Sequence, residues 1–378
     1  MTPENRTPPT SASRPILLNR GAESPTRGAE THTRGAETHT RGAETPNRQV
    51  ALGRGLDVGT ANLLAAEQEL DNGVKVRSER NAFFEIPAEQ AANKGMLTRL
   101  GVPYATWQNR FYVLGNASFD LANLFGREVR RPMQDGFLAP DEKDAIPMLN
   151  FMLERLLGKP QQDGEPLHYC IPATSIDRTN DTVYHEGVVG GLVAKMGFTP
   201  VAINEAHAIV YSELEEHDFT GITVSGGGGM FNVCVAYKSI PALTFSVSRG
   251  GDWIDEHVAK VMGMTRARAT AIKENNINLV EPRSREEEAV ALYYRSLIEY
   301  VLTNLKQRFE LATDVPQFTA PVEVVLAGGT SLAGGFTELF TEELKKVGFP
   351  VPIAQVRRAE DPFTSVVRGC LIAARLEG

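Results

Sequence analysis

Apolar and polar positions divide the chain near residue 49. Before it, Thr, Gly, Pro, Arg and Glu dominate and no apolar stripe forms. After it, runs with the two-residue period of strands alternate with stripes at helical spacing. The first folded stretch is Gly55-Leu56-Asp57-Val58-Gly59-Thr60-Ala61-Asn62, followed by Leu63, Leu64, Ala65 and Ala66. This pattern predicts a strand, a tight turn and a second strand. Further strands are predicted over 74–76, 81–86 and 110–115. An extended joint over 130–137 leads into a helix with Ala145, Leu149, Met152, Leu153 and Leu156 on one stripe. Asp141 and Asp144 stand ready to cap that helix.

The second half repeats the pattern. A strand over 167–171 precedes a helix over 179–196 that Gly197 stops. A strand over 201–203 leads into a helix that starts at Asn204-Glu205-Ala206-His207-Ala208. Strands over 221–224 and 232–237 then flank Ser225-Gly226-Gly227-Gly228-Gly229, a second glycine hairpin. A strand over 242–247 follows, then helices from about Trp253, over 266–273 and over 286–309. A strand over 322–326 ends in Ala327-Gly328-Gly329-Thr330-Ser331. Last come a helix over 336–346, a short strand near 351–353 and a helix over 365–375. Two strand–glycine turn–strand units, each followed by helices, predict a duplicated α/β domain with a ligand held between the halves. A hairpin turn that offers backbone N–H groups beside an acid such as Asp57 suits a phosphate and its metal ion. An ordinary hairpin with a turn Asp fits that stretch equally well. The third glycine turn, ahead of a helix start, is a further anion or nucleoside site.

Composition narrows this picture. The chain has 378 residues, 42% hydrophobic and 23% charged, with net charge -8. That is a globular composition of about two domains, without the basic footprint of a nucleic-acid binder. No apolar run reaches the length of a membrane span, and no signal sequence opens the chain, so the expected place is the cytoplasm. Cys170, Cys234 and Cys370 lie far apart in apolar runs and are expected as buried thiols. In the leader, residues 1–48, Arg20, Arg27, Arg34, Arg41 and Arg48 recur every seven residues. No apolar a/d positions accompany them, so the composition predicts disorder rather than a coiled coil. A multivalent tether is the functional alternative for this segment.

Taken together, these stretches resemble the actin-like ATPase superfamily, and within it bacterial actin homologues of the MreB type (rod shape-determining proteins). Gly55–Asn62 is similar to the family's first phosphate motif. Arg131-Pro132-Met133-Gln134-Asp135-Gly136 is similar to its Arg-Pro-Leu-x-Asp-Gly joint. Asn204–Ala208 resembles its connecting helix, Gly226–Gly229 its second phosphate motif, and Gly250-Gly251-Asp252 through Asp255 its Gly-Gly-x-x-x-Asp element. Ala271-Ile272-Lys273 resembles a nucleoside contact, and Gly328-Gly329-Thr330-Ser331 the adenosine motif. The resemblance spans about residues 50–376. It implies duplicated actin-like, ribonuclease H-like domains flanking a nucleotide cleft: residues 49–204, with 363–378 packing back on them, and residues 205–362.

The resemblance also implies roles. ATP and Mg²⁺ would be the ligands. Asp57 would hold Mg²⁺ through water, and Gly59, Thr60, Ala61, Asn62, Gly227, Gly228 and Gly229 would wrap the phosphates. Glu205 would position the attacking water, the main demand of phosphoryl transfer; a Glu favoured by the helix dipole is the plain alternative. Lys273 would reach the ribose, or simply be a solvated surface lysine. Gly328, Gly329, Thr330 and Ser331 would line the adenosine pocket. His185 and His207 show no metal spacing. Three departures from the family pattern predict weakened hydrolysis: Ser225 where Asp is usual, Met230 for a small Thr, and Thr270 for a ribose-binding acid.

The function so implied is an ATP-binding cytoskeletal protein that assembles with itself into filaments serving cell shape or intracellular organisation. Membrane-associated proteins are implied as partners, at the inner face of the membrane. A non-polymerising nucleotide-binding scaffold or regulator is the alternative. A DnaK-like ATPase is a second one, against which stands a chain that ends straight after the ATPase-like core.

Overall fold

The computed structural model describes residues 52–69, 73–88, 91–179, 182–313 and 315–377. The repeated leader lies outside them. In chain order the strands and helices are β1 (Arg54–Val58), β2 (Asn62–Gln68), β3 (Val74–Arg80), β4 (Phe83–Pro87), α1 (Ala91–Leu100), β5 (Tyr104–Trp107), β6 (Arg110–Leu114), α2 (Asn116–Ala122), β7 (Met133–Gln134), β8 (Phe137–Leu138) and α3 (Ala145–Leu157). Then follow β9 (Glu165–Ile171), α4 (Thr182–Lys195), β10 (Phe198–Asn204), α5 (Glu205–Glu213), β11 (Gly221–Gly226), β12 (Phe231–Tyr237), β13 (Ile240–Val247), α6 (Gly251–Met262) and α7 (Arg266–Glu274). The last are α8 (Arg285–Leu311), β14 (Val322–Ala327), α9 (Phe336–Val347), β15 (Ile353–Arg358) and α10 (Ser365–Glu377).

Among the described residues, contacts group the chain into two compact units: Ala82–Arg130, and the stretches before and after it, up to Asn81 and from Arg131. The smaller unit is a sheet in the order β4-β6-β5 with α1 and α2. Phe84, Ile86, Leu97, Tyr104, Phe111, Val113 and Ala122 fill its core. The sequence pattern did not mark α1, β5 or α2. In α2 only Ser118 and Ala122 are buried, so no apolar stripe announces a helix there.

The larger unit holds two five-stranded sheets, ordered β10-β9-β1-β2-β3 and β13-β12-β11-β14-β15. Each is an antiparallel meander of three strands whose first strand also pairs in parallel with a later one. The strand orders therefore match, and the expected duplicated α/β fold is present. Helices α5 and α10 lie between the sheets. Their side chains pack with Cys170 of β9, Cys234 and Ala236 of β12, and Val325 and Ala327 of β14. The approach is close. A Cβ on Gly55 would stand 2.2 Å from the Val367 carbonyl oxygen, and one on Gly369 would stand 1.8 Å from that of Ala208. Only glycine permits these contacts. The outer face of the second sheet is covered by α6, α8 and α9. Helix α8 buries Val290, Tyr294, Leu297, Ile298, Val301, Leu302 and Leu305, the helical spacing that its sequence shows. All three cysteines are free and buried, as expected.

Local chemistry explains most element ends. Asn204 caps α5 by accepting from the His207 N–H, and Ser284 caps α8 by accepting from Glu287. The cap expected at α3 is not formed. Asp144 is the N-cap residue but makes no side-chain cap bond, and its own N–H donates to the Glu142 carboxylate at 3.0 Å. The last strand, β15, starts at Ile353 rather than near Val351. Pro352, just before it, has no N–H to give and offers its carbonyl to Val322.

Candidate nucleotide site

The first hairpin is tightened by its own turn. The Gly59 N–H donates to the Asn62 carbonyl at 3.0 Å, and a Cβ on Gly59 would meet that oxygen at 2.9 Å. Asn81, fully buried, clamps the turn from behind. Its side-chain amide donates to the Gly59 carbonyl at 2.8 Å and its backbone N–H to that of Ala61 at 3.0 Å. The turn residues thereby gain a fixed shape. No local pattern marks Asn81 for this job, and sequence reasoning missed it.

The second hairpin closes in the same way, with the Gly227 N–H donating to the Met230 carbonyl at 2.8 Å. The two hairpins meet. A Cβ on Gly228 would lie 3.2 Å from the Ala61 methyl, and one on Gly229 would lie 2.4 Å from Thr60 Oγ1 and 2.5 Å from the Gly136 nitrogen. Thr60 Oγ1 itself accepts from the Gly136 N–H at 2.9 Å. Thus the β7–β8 turn, Asp135-Gly136, is held to the first hairpin, and Gly229 passes over both. Met230 packs its thioether over Gly136, whose φ of +85° leaves no room for a side chain. Among the described residues, the amides of Thr60, Ala61, Gly228 and Gly229 meet no acceptor. Four donors pointing at no protein acceptor suit an anion.

The other predicted elements converge on the second hairpin. The N–H groups of Gly251 and Asp252 donate to the carbonyls of Gly227 and Gly228. Thr330 Oγ1 donates to the Gly227 carbonyl at 2.8 Å, and Ser331 Oγ to that of Gly328 at 2.7 Å. A Cβ on Gly328 would stand within 2.4 Å of the Gly226 oxygen, whereas Gly329 faces open space. Lys273 is not a solvated surface lysine. Its side chain is 10% exposed, and its ammonium donates to Asp255 and to the Gly251 carbonyl. Thr270 donates to the same Asp255 oxygen at 2.8 Å. Asp252 takes Arg131 at 2.8 Å and Arg266 at 2.8 Å, so the joint motif and the Gly-Gly-x-x-x-Asp element are bound by an ion pair. The structure brings the whole predicted set, from Asp57 to Ser331, to one place.

Among the described residues, two carboxylates here have no basic partner. Asp57 accepts from the Cys170 thiol at 3.0 Å. Glu205, the first residue of α5, accepts from Ser225 Oγ at 2.6 Å on one oxygen and from the Asn232 amide at 2.8 Å on the other. Burial pushes Glu205 up to about 8, and the Asp57 charge adds to that; the Ser225 bond pulls the other way. Burial likewise raises Asp57 to about 6, against the Cys170 bond. With these shifts Asp57 carries the charge near neutral pH, and a cation beside it would also favour ionisation of Glu205. Mg²⁺, which keeps its waters and needs few carboxylates, fits Asp57 through water. Among the described residues, no group of three metal-ligating side chains exists. His185 is buried edge-on to Phe137, its pKa lowered to about 4 by that burial, and His207 contacts the Ser239 carbonyl.

A family model described as Volactin matches residues 52–374. The chain belongs to the Volactin family. No curated protein matches it. Among solved structures, it is similar to MamK in a double helical filament, with 19% identity over 85% of this chain and 98% of that one, at a TM-score of 0.64. It is also similar to MreB5 of Spiroplasma citri bound to AMPPNP, with 16% identity over 85% and 95% of the two chains and a TM-score of 0.59. The ethanolamine utilization protein EutJ from Carboxydothermus hydrogenoformans shares 20% identity over 87% and 91%, at 0.52. These likenesses establish the actin-like fold that the sequence motifs implied.

Proposed function

We propose that this Volactin-family chain is an ATP-binding, actin-like cytoskeletal protein that assembles with itself into filaments. One observation carries the reading: the two glycine hairpins of the duplicated sheets meet, with acceptor-less amides on both and an uncompensated pair of carboxylates beside them. A triphosphate and its metal ion supply the acceptors and the positive charge that this arrangement lacks. In this reading Thr60, Ala61, Gly228 and Gly229 hold phosphates, Asp57 holds Mg²⁺ through water, and Glu205 orients the attacking water. Gly328–Ser331 line the nucleoside side, and Lys273 braces it. Mg²⁺, when bound, neutralises charge on the phosphates.

Two of the similar proteins support both parts of the reading. MreB5 binds AMPPNP and MamK forms a double helical filament, each on the same fold. The reading extends to a cytoplasmic filament with membrane-associated proteins as partners, which cell fractionation tests. The first experiment is sedimentation and electron microscopy of the pure protein with and without Mg-ATP. Nucleotide-dependent polymer is expected. ATP binding without polymer at high protein concentration would replace the filament by a scaffold. No ATP binding at all would end the reading.

A further inference from the structure

Ser225 and Asn232 face each other directly across the β11–β12 ladder, and both are fully buried. From this hairpin they reach one carboxylate, Glu205, and donate to one oxygen each. We propose that Ser225 and Asn232 are positioning residues for Glu205, a two-pronged neutral grip that takes the place of an acid in the second hairpin. The proposal rests on Glu205 as the water-orienting group of the reading above.

The network fixes its own polarity. The Ala173 N–H donates to Asn232 Oδ1 at 3.0 Å, which leaves the Asn232 amide N–H groups to face Glu205. Ala173 belongs to the segment that leaves β9 and is laced to β13. Ser246 Oγ donates to the Ala173 carbonyl at 2.8 Å, the Ser246 N–H to that of Thr174 at 3.0 Å, and the Ile176 N–H to that of Ser246 at 2.9 Å. Glu205 is thus oriented by the second sheet directly, and by the strap from the first sheet through Asn232.

The grip also explains Ser225. An Asp at 225 would set a second carboxylate within hydrogen-bond reach of Glu205, where the two can coexist only with a shared proton or a cation between them. Serine there and glutamate at 205 are one arrangement rather than a lost acid. In the hydrolytic step the water oxygen forms its bond to the γ-phosphorus as the bond to the β,γ-bridging oxygen breaks. The electron pair leaves with ADP, and the water proton passes to solvent or to the phosphate formed. Glu205 aims the water, and Ser225 and Asn232 aim Glu205.

The test compares Ser225→Ala, Ser225→Thr and Ser225→Asp with the wild-type chain, in ATP affinity and in steady-state phosphate release. Removing one donor to a charged acceptor is expected to lower kcat about tenfold while ATP affinity stays within about threefold. Ser225→Thr restores kcat, and Ser225→Asp does not exceed the wild type. Wild-type kcat in Ser225→Ala, or a gain in Ser225→Asp, overturns the proposal. A second arm needs no nucleotide. The carboxylate stretching band of Glu205, recorded at a pH above its raised pKa and identified by difference against Glu205→Gln, shifts in Ser225→Ala and returns in Ser225→Thr; an unmoved band overturns the grip. If the wild-type chain does not bind ATP, the functional reading falls, while the infrared arm still decides the grip.

Discussion

The two glycine hairpins share a strand order and differ in where their acid comes from. In β1–β2 the acid belongs to the hairpin, at Asp57, the next-to-last residue of β1, and a thiol from β9 meets it. In β11–β12 the same place holds Ser225, and the acid is brought in by α5. The backbones can pack alike because glycine makes both turns. The charge differs: the first hairpin carries a negative group, and the second offers neutral donors to a negative group supplied from outside. A duplicated fold can therefore keep its geometry while its halves differ in charge; under the proposed function one side would serve the cation and the other the water.

The largest expected effect concerns what braces the second hairpin. Lys273→Ala would leave Asp255, 2% exposed, with Thr270 alone on its bonded oxygen. Breaking one partner of a buried pair costs about 3–5 kcal/mol. A large drop in the denaturant midpoint is expected; a change within about 0.5 kcal/mol would return Lys273 to the status of an ordinary surface charge. Next comes the meeting of the hairpins. Gly229→Ala puts a methyl 2.4 Å from Thr60 Oγ1 and 2.5 Å from the Gly136 nitrogen, which overpacking values place at about 1–3 kcal/mol. Gly228→Ala, at 3.2 Å from the Ala61 methyl, should cost less. Equal costs for the two would mean that the hairpins do not meet as described.

The acids themselves set a pH dependence. Glu205 rises from 4.5 to about 8 on folding, and Asp57 from 3.8 to about 6. Between those values the folded chain holds protons that the unfolded chain has lost. Stability of the nucleotide-free protein is therefore fullest at the low end and falls as pH rises from about 4 through about 8. Both groups are only half-buried, so the summed loss is put at about 1–3 kcal/mol. Glu205→Gln should flatten the upper part of the curve, and Mg-ATP should oppose the fall. A wild-type curve that rises across this window contradicts the assignment. The smallest effect is expected at Cys170→Ala, where a weak thiol donor to Asp57 is lost, at about 0.5–1.5 kcal/mol. Its signature is a further rise of the Asp57 titration.

The hairpins were legible in the sequence because glycine runs between β-branched and aliphatic strands have few other uses. That both hold one ligand was expected; their direct contact was not, since it depends on Gly229 passing over a turn at Asp135-Gly136 that lies far away in the chain. Helix α5 was readable from Asn204, which caps it, but the partners of Glu205 were not. Within the hairpin alone Ser225 reads as a missing acid; its contact to Glu205 is set by the layer between the sheets. Asn232 stood two residues past Met230 in the same hairpin and could have been suspected from its polar place in an apolar strand. Asn81 and Cys170 carry no local signal; they act on the first hairpin from β3's end and from β9. The cap expected at Asp141–Asp144 is not made: Asp144 stands at the N-cap position, but its side chain accepts no cap bond. The helices of residues 82–130 went unmarked because they bury little.

The central claim is that both hairpins hold one nucleotide. Calorimetric titration with Mg-ATP tests it most directly, in the wild-type chain, in Asp57→Asn on the first hairpin and in Gly229→Ala on the second. One site per chain is predicted, weakened at least about tenfold by either substitution, a difference of about 1.4 kcal/mol. Absence of binding in the wild type, or binding that ignores the change on either hairpin, would contradict it.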